Sequence, residues 1–222
     1  MSVLHISLFG NIRIVHDDRP AGLQMKPAAL ALLVYLLLHR HRSHRREVLI
    51  GLFWGNHDEE RARRCLSTTL WRLRSELEPA PTPHGIYLIT TAAGEISFNR
   101  ECDYWLDVAN FEEKIVHGLI HPVATMAVAD AQELEEALQL YKGDLLEGFY
   151  EEWTLRERER LRALYLKALT RLMLYYQQHG IYERSLVCGQ KILDMDPLRE
   201  EIHRAMMRLY LQSGQQVLAV QQ

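Results

Sequence analysis

Two stretches of the carboxyl-terminal half match each other at a spacing of 34 residues, and this spacing restricts the fold more than any other feature. The stretches are "LMLYYQQHGIYERSL" (172–186) and "MMRLYLQSGQQVLAV" (206–220). Each carries apolar residues at helical spacing and a glycine that interrupts the helix. The aligned positions are Tyr176 with Tyr210, Gln178 with Gln212, and Gly180 with Gly214. Such a period indicates helix pairs that stack on one another.

Helix pairs of this length are typical of tetratricopeptide-like repeats, and Pro197 stands where one pair would give way to the next. We therefore predict an all-α domain over residues 103–222. A second repeat that begins at Glu200 would extend to about residue 233, beyond Gln222. We expect the chain to be truncated within this domain and to be part of a longer protein. The predicted helices lie in "DAQELEEALQLY" (130–141), "EEWTLRERERLRALYLKALTRLMLYYQQHG" (151–180), "YERSLVCGQKILDMDP" (182–197) and "LREEIHRAMMRLYLQSG" (198–214).

The first hundred residues have a different pattern, with strands on either side of three helices. "LHISLFGNIRIVHDD" (4–18) alternates around a glycine-asparagine turn, as a half-buried hairpin does. "IYLITTAAGEISF" (86–98) alternates around Gly94 and predicts a second hairpin. We expect helices in between at 26–40, with Pro27 in its first turn, at 43–54, with Ser43 as the N-cap, and at 58–77. The prolines of "EPAPTPHG" (78–85) end the third helix. Residues 1–100 thus read as one α+β domain.

Charge divides between the two halves. Residues 1–100 contain 13 Lys and Arg against 9 Asp and Glu, whereas the remainder contains 13 against 20, so the halves carry +4 and −7. A basic half joined to an acidic half suggests that one part meets a polyanion, although chance alone can produce such a difference.

The sequence shows no sign of export or membrane insertion. Its three cysteines are far apart and form no C-x-x-C pair, so neither a disulfide framework nor a cysteine-rich zinc site is expected. The longest apolar run, "PAALALLVYLLL" (27–38), is shorter than the roughly 18 to 20 residues of a membrane span. The amino terminus lacks the basic-then-apolar order of a signal peptide. We expect a cytoplasmic protein without membrane partners.

The third predicted helix, "DEERARRCLSTTLWRLRSEL" (58–77), has two sharply different faces. At about 100° per residue one narrow stripe is wholly apolar and predicted to be buried. Its members are Ala62, Leu66, Leu70, Leu73 and Leu77. The opposite face carries Arg61, Arg64, Thr68, Trp71, Arg72 and Ser75, with Ser67 and Arg74 on one flank. Arginines, hydroxyls and an exposed indole can neutralise phosphates and contact base edges, so this face favours DNA recognition over an ordinary solvated surface.

A second basic stretch, "HRHRSHRR" (39–46), admits three interpretations. Its histidines could bind a metal, but they form no i, i+4 pair and lack a nearby carboxylate or cysteine before Glu47. It could be a solvated turn between two helices. It could also anchor a DNA phosphate through Arg45 and Arg46, next to the amides at the start of the second helix. We predict the phosphate role for these two arginines, and no metal.

Catalytic motifs are missing from the sequence. It contains no G-x-x-x-x-G-K-[ST] phosphate loop, H-E-x-x-H helix or G-x-S-x-G elbow. The acidic segment "LYKGDLLEGFYEEW" (140–153) reads as a turn into a long helix, and "RERERLR" (156–162) as a solvated helical face. We expect no enzyme activity and no cofactor.

The order of these motifs resembles a known combination of bacterial domains. The first hairpin, "KPAALALLVYLLLH", "REVLIGLFWG", "ARRCLSTTLWRLRSEL" and the second hairpin resemble the winged-helix output domain of OmpR/PhoB-type response regulators. The continuation "YKGDLLEGFYEEWTLRERERLRALYLKALTRLMLYY", with the 34-residue repeat, resembles the bacterial transcriptional activator domain. Together they resemble the Streptomyces antibiotic regulatory protein class. The resemblance implies a winged helix-turn-helix followed by a tetratricopeptide-like helical domain.

The resemblance also implies how such a protein works. "LSTTLWRLRSEL" (66–77) would be the recognition helix in the major groove, with Thr68, Trp71 and Arg72 on base edges and Arg64 and Arg74 nearer phosphates. "WGNHDEE" (54–60) would be a loop able to contact RNA polymerase. The protein would bind double-stranded promoter DNA at repeated sites and activate transcription, and self-association is left open. The second hairpin departs from the family, because Ala92 and Ala93 stand at its tip where an arginine often enters the minor groove.

Two rival interpretations remain. The chain could be a helical-repeat adaptor whose winged helix contacts protein rather than DNA. It could also be a sensor module of a larger multidomain regulator, with chemistry in a region beyond Gln222.

Overall fold

The computed structural model describes residues 3–16, 19–21, 25–78 and 83–222. By its internal contacts the chain divides into two units, Met1–Leu8 with Ile12–Leu106 and Phe9–Asn11 with Asp107–Gln222. The sequence places the division between residues 100 and 103. It falls later in the structure because Tyr104–Leu106 forms a strand that pairs with the first strand of the chain. No helix in the described part of the chain is long and apolar enough to cross a membrane.

The first unit contains a four-stranded sheet. Its strands are β1 (Leu4–Ser7), β2 (Arg13–His16), β3 (Arg19–Ala21) and β6 (Tyr104–Leu106), in the order β3-β2-β1-β6. The predicted first hairpin is confirmed, with Leu4 opposite His16 in an antiparallel register. Leu4 and Ile6 are fully buried while His5 between them is exposed, as strand alternation requires. The sequence analysis missed β3 and β6 because three-residue strands carry too little alternation to be recognised.

Three helices and a hairpin complete this unit. The helices are α1 (Pro27–Leu38), α2 (Arg46–Trp54) and α3 (Glu59–Leu77), and the hairpin consists of β4 (Leu88–Thr90) and β5 (Ile96–Phe98). Pro27 begins α1, and Gly94 lies in the turn between β4 and β5, both as predicted. Both α1 and α2 pack on α3, and α1 also contacts β5. We call the β4–β5 hairpin the wing. Of the prolines predicted to end α3, Pro79 and Pro81 lie outside the described residues.

The second unit is helical. Its elements are α4 (Asp107–Gly118), a 3₁₀ turn (Val123–Thr125), α5 (Val128–Leu140), α6 (Glu152–Gln178), α7 (Tyr182–Met195), α8 (Glu200–Gln212) and α9 (Gln216–Gln221). Within this unit every α-helix packs on the next one along the chain. Together with the winged unit, this confirms the predicted fold class.

The two aligned stretches end their helices in the same way. Gly180 after α6 and Gly214 after α8 adopt φ of 70° and 77°, which a residue with a side chain rarely adopts. At the end of α6 the N–H of Ile181 donates to the Tyr176 carbonyl at 2.8 Å. At the end of α8 the N–H of Gln215 donates to the Tyr210 carbonyl at 2.7 Å. This Schellman geometry explains why tyrosine and glycine recur at the same spacing.

The short segment Phe9–Asn11 belongs to the helical unit although it lies in the turn after β1. The N–H of Phe9 donates to the carboxylate of Asp107 at 3.0 Å. Its ring packs edge-on against Phe111, with centroids 5.1 Å apart. The N–H of Gly10 donates to the Asp144 carbonyl at 3.1 Å.

Candidate nucleic-acid interface

Helix α3 has the two faces that its sequence predicts. The buried residues of this helix are the five predicted ones, Ala62, Leu66, Leu70, Leu73 and Leu77. Its first turn is capped by Asp58, whose carboxylate accepts a hydrogen bond from the N–H of Arg61 at 2.9 Å. Glu59 and Glu60 also lie in the first turn, where negative charge suits the helix dipole.

The opposite face of α3 is open. The six residues predicted for it are all exposed, namely Arg61, Arg64, Thr68, Trp71, Arg72 and Ser75. Trp71 leaves 67% of its surface accessible, which is unusual for an indole. We call these six residues the α3 face.

The three arginines of the α3 face are little engaged within the protein. Arg64 forms an ion pair with Glu60 at 3.6 Å, but its side chain remains 70% exposed. Such exposed pairs contribute little and exchange readily. Within the described part of the chain, the side chains of Arg61 and Arg72 form no hydrogen bond or ion pair. All three guanidinium groups are therefore available to an external anion.

Arg46 stands beside α3 at the start of α2. Its Nη2 donates to the hydroxyl of Ser67 at 2.9 Å, which directs the guanidinium toward one flank of the α3 face. Helix α2 begins at Arg46, with Arg45 as its N-cap and no side chain bonded to the first-turn amides. The prediction of Ser43 as the N-cap is therefore wrong. Arg45 and Arg46 lie next to the free amides that the phosphate interpretation requires.

Ser43 instead binds the wing. Its hydroxyl donates to the Glu95 carboxylate, which also lies 3.7 Å from Nε of Arg45. The Arg45 side chain remains 78% exposed. Glu95 follows the wing tip, where Ala92 and Ala93 are both exposed. The sequence alone does not indicate this role of Glu95, because nothing local shows that it neutralises an arginine before α2.

Arg74 has a different position from the other predicted arginines. It is only partly exposed, and its Nη2 donates to the Thr90 hydroxyl at 2.7 Å and to the Leu88 carbonyl at 3.3 Å. Its Nε is buried and has no hydrogen-bond partner in the described structure. Arg74 thus holds the wing against α3 rather than extending into solvent as the other arginines do.

The histidines of "HRHRSHRR" belong partly to the core. The backbone of His44 exchanges two hydrogen bonds with Ile96, at 2.8 and 2.9 Å, and so adds a short third pairing to the wing. The His44 ring is buried beside Tyr35, with centroids 5.1 Å apart, and His39 stacks on the same tyrosine at 4.3 Å. Burial lowers the pKa of His44 below 6.5. The solvated-turn interpretation therefore fails for His44.

Glu78 is a structural residue that the sequence analysis missed. Its buried carboxylate accepts hydrogen bonds from the N–H groups of Gly85, Tyr87 and Leu88, at 2.9, 3.0 and 3.2 Å. These bonds fasten the segment that enters the wing to the end of α3. The only local sign of this role in the sequence is that Glu78 directly follows a helix and precedes prolines.

Metal ligands are not clustered in the part of the chain that the structure describes. No group of three or more His, Cys, Asp or Glu residues there is arranged to hold a metal ion. The three cysteines are separate, and burial raises the pKa of the Cys102 and Cys188 thiols to about 11.

Comparison with known proteins agrees with this arrangement. The sequence model of the transcriptional regulatory protein C-terminal family matches residues 20–95, and that of the bacterial transcriptional activator domain matches residues 106–222. Among curated proteins none matches significantly. The solved structure of Mycobacterium tuberculosis EmbR in complex with a low affinity phosphopeptide has a TM-score of 0.82 at 19% identity. The match covers 99% of this chain and 57% of that one.

The two matches cover the three helices of the winged unit, most of the wing and the whole helical unit from residue 106, and confirm the resemblance seen in the sequence. Both families contain transcriptional regulators rather than enzymes. The structural similarity to EmbR extends over both units and confirms the fold of each. The chain belongs to the bacterial transcriptional activator domain family, with an OmpR/PhoB-type winged helix preceding that domain.

Proposed function

We propose that this regulator binds specific DNA sequences through the α3 face and activates transcription by contacting RNA polymerase. The observation that carries the proposal is the pairing, on one helix, of a wholly apolar buried stripe with an opposite face of three little-engaged arginines and an exposed indole. A helix fits the major groove of B-DNA, where guanidinium groups pair with guanine and apolar groups contact thymine methyls.

Residues of the interface would divide into two groups. Thr68, Trp71 and Arg72 lie near the middle of the exposed helix and would contact base edges. Arg61 and Arg64, about one to three turns earlier, would contact phosphates of one strand. Arg45 and Arg46 would anchor a further phosphate at the uncapped start of α2.

Arg74 has a revised role in this proposal. Because its guanidinium already binds Thr90 and Leu88, it would position the wing and reach a phosphate only secondarily. The wing itself would lie along the backbone rather than read the minor groove, since its tip presents two alanines and is followed by Glu95.

The remaining parts of the chain would serve regulation. We propose that the two contact-defined units are separate functional domains, the first for DNA and the second for partner contact and regulation. The exposed connection between α2 and α3, residues 55–58, would contact RNA polymerase. Binding at repeated promoter sites would raise the effective affinity without any new contact.

Duplex binding measured across a range of salt concentrations tests the electrostatic part of the proposal. We expect the logarithm of affinity to fall linearly with the logarithm of salt concentration, because each neutralised phosphate releases counterions. Arg64→Ala should reduce that slope by about one unit. The matched control is Arg63→Ala. Arg63 lies on the same helix but outside the α3 face, and its Nη2 donates to the Glu59 carboxylate at 2.6 Å. Binding that does not depend on salt would contradict the proposal and favour the adaptor interpretation.

A further inference from the structure

A groove of about 340 Å³ lies over α6 in the helical unit, with α5 on one side and α7 on the other. Buried Leu169 and Leu172 of α6 contribute to its floor. Leu138 of α5 and Val187 of α7 line its walls, and Val187 is 55% exposed. An apolar cleft of this size with a few polar groups is typical of small-molecule sites, which span roughly 300 to 1,000 Å³.

Two cations on α7 bracket the apolar part of the groove. Arg184 and Lys191 are seven residues apart and lie on the same side of the helix as Val187 and Cys188. At about 1.5 Å rise per residue their backbones are about 10 Å apart along α7. The apolar surface of the groove therefore has a basic side chain at either end.

The Arg184 end is already neutralised by the protein. Its Nη1 donates to the Glu135 carboxylate at 2.9 Å and to the Tyr176 hydroxyl at 3.2 Å. The guanidinium carbon lies 5.3 Å from the centroid of the Tyr176 ring, and the Tyr176 hydroxyl donates to Glu135. This cluster closes one end of the groove with a fixed set of polar groups.

The Lys191 end has no such partner. Lys191 is exposed, and it forms no hydrogen bond or ion pair with any residue that the structure describes. The Cys188 thiol, which also lines the groove, stays neutral because burial raises its pKa to about 11. The unbalanced charge of the groove is thus one ammonium group beside an apolar surface.

We propose that this groove is an effector site for a small organic anion with an apolar body. The anionic group would pair with Lys191, and the apolar body would cover Leu169, Leu172 and Val187. A polar atom at the far end could bind the Arg184 cluster. Because such a ligand would touch α5, α6 and α7 together, its binding would stabilise this part of the helical unit. The proposal does not depend on DNA binding.

A fluorescent anion of this kind, 8-anilinonaphthalene-1-sulfonate, tests the site on the full chain. We expect saturable binding with one site per chain. Lys191→Gln should raise the dissociation constant by up to about fivefold, as loss of one exposed ion pair predicts. Val187→Asp should abolish binding, because it places a carboxylate in the apolar wall. Both side chains are exposed, so neither substitution threatens the fold.

A matched control lies in a different groove of the helical unit. Lys167 of α6 is also exposed but lines a groove with Leu174 and Arg171, so Lys167→Gln should leave dye binding unchanged. Decanoate should displace the dye, whereas decyltrimethylammonium, which has the same chain and the opposite charge, should not. Dye binding that does not saturate, that survives both groove variants, or that both competitors displace equally would overturn the proposal.

Discussion

The Nη2 of Arg74 donates a 2.7 Å hydrogen bond to the hydroxyl of Thr90, and this bond joins the last turns of α3 to the first strand of the wing. The same nitrogen donates to the carbonyl of Leu88. The wing is therefore attached to the proposed recognition helix by a cation that the sequence would assign to DNA. This arrangement separates residues that hold the interface together from those that are free to contact DNA.

Replacing Arg74 with methionine should loosen the wing and leave sequence preference intact. The variant keeps an apolar stem but loses two charge-assisted hydrogen bonds, so we expect the free energy of unfolding to fall by about 1 to 3 kcal/mol. Urea unfolding measures the loss, and hydrogen exchange at residues 88–91 should accelerate. Arg63→Met, which removes only an exposed pair with Glu59, is the control. Unchanged exchange in the wing would show that Arg74 does not hold it.

Arg72 and Arg64 should behave differently although both are exposed arginines of α3. Arg72→Ala should relax the preference at one or two positions of the binding site and cost about 1 to 3 kcal/mol on the best sequence. Arg64→Ala should weaken binding to all duplexes by a similar factor. Titrations against a preferred duplex and its single-base variants separate these effects. Equal losses from both substitutions on every duplex would contradict the division.

Glu95→Gln should increase DNA affinity. The carboxylate accepts from Ser43 and lies 3.7 Å from Arg45, so it offsets a cation that we place near a phosphate. Removing its charge should strengthen binding on all sequences alike and steepen the salt dependence by up to about one unit. Glu101→Gln makes the same charge change without contact to Ser43 or Arg45. If Glu101→Gln has the same effect, the gain would reflect net charge alone.

His44 should make the winged unit less stable below neutral pH. Burial lowers the pKa of His44 below 6.5, a hydrogen bond to the His39 backbone and the Glu95 carboxylate oppose the shift, and the positive charge of Arg42 adds to it. The unfolded chain therefore binds a proton at a higher pH than the folded chain. Its contribution to stability is fully present above about pH 6.5 and is lost as the pH falls from there toward the folded-state pKa.

His44→Phe provides the test of this linkage. The ring is buried and its Nε2 has no hydrogen-bond partner in the described structure. Phenylalanine keeps the buried ring and removes the titratable group, together with the ring's hydrogen bond to the His39 backbone. Urea unfolding at pH 7.5 and 5.5 should show a smaller pH-dependent loss in the variant than in the original chain. The same loss in both would mean that other groups produce the pH dependence.

The sequence predicted features that repeat along a single element. The prediction that the stripe from Ala62 to Leu77 is buried was confirmed, because helical periodicity alone decides which side of α3 is buried. The 34-residue repeat was predictable because Gly180 and Gly214 both end helices in a backbone conformation that strongly favours glycine.

Features that depend on distant partners were not predictable. The burial of His44 could not be predicted because it depends on pairing with Ile96, more than fifty residues away. The contact of Arg74 with the wing could not be predicted because its partner Thr90 lies in β4, sixteen residues further along the chain. Ser43 was read as a helix cap since serine is common there, but the chain turns into α2 two residues later.

Selection of bound sequences from a pool of random duplexes tests the central claim most directly. If the α3 face reads bases, the full chain should enrich a defined motif, and Arg72→Ala should enrich a motif with reduced preference at one or two positions. Arg45→Ala combined with Arg46→Ala should lower affinity, flatten the salt slope by no more than about two units, and enrich the unchanged motif. A pool that shows no enriched motif after selection with the original chain would contradict the account.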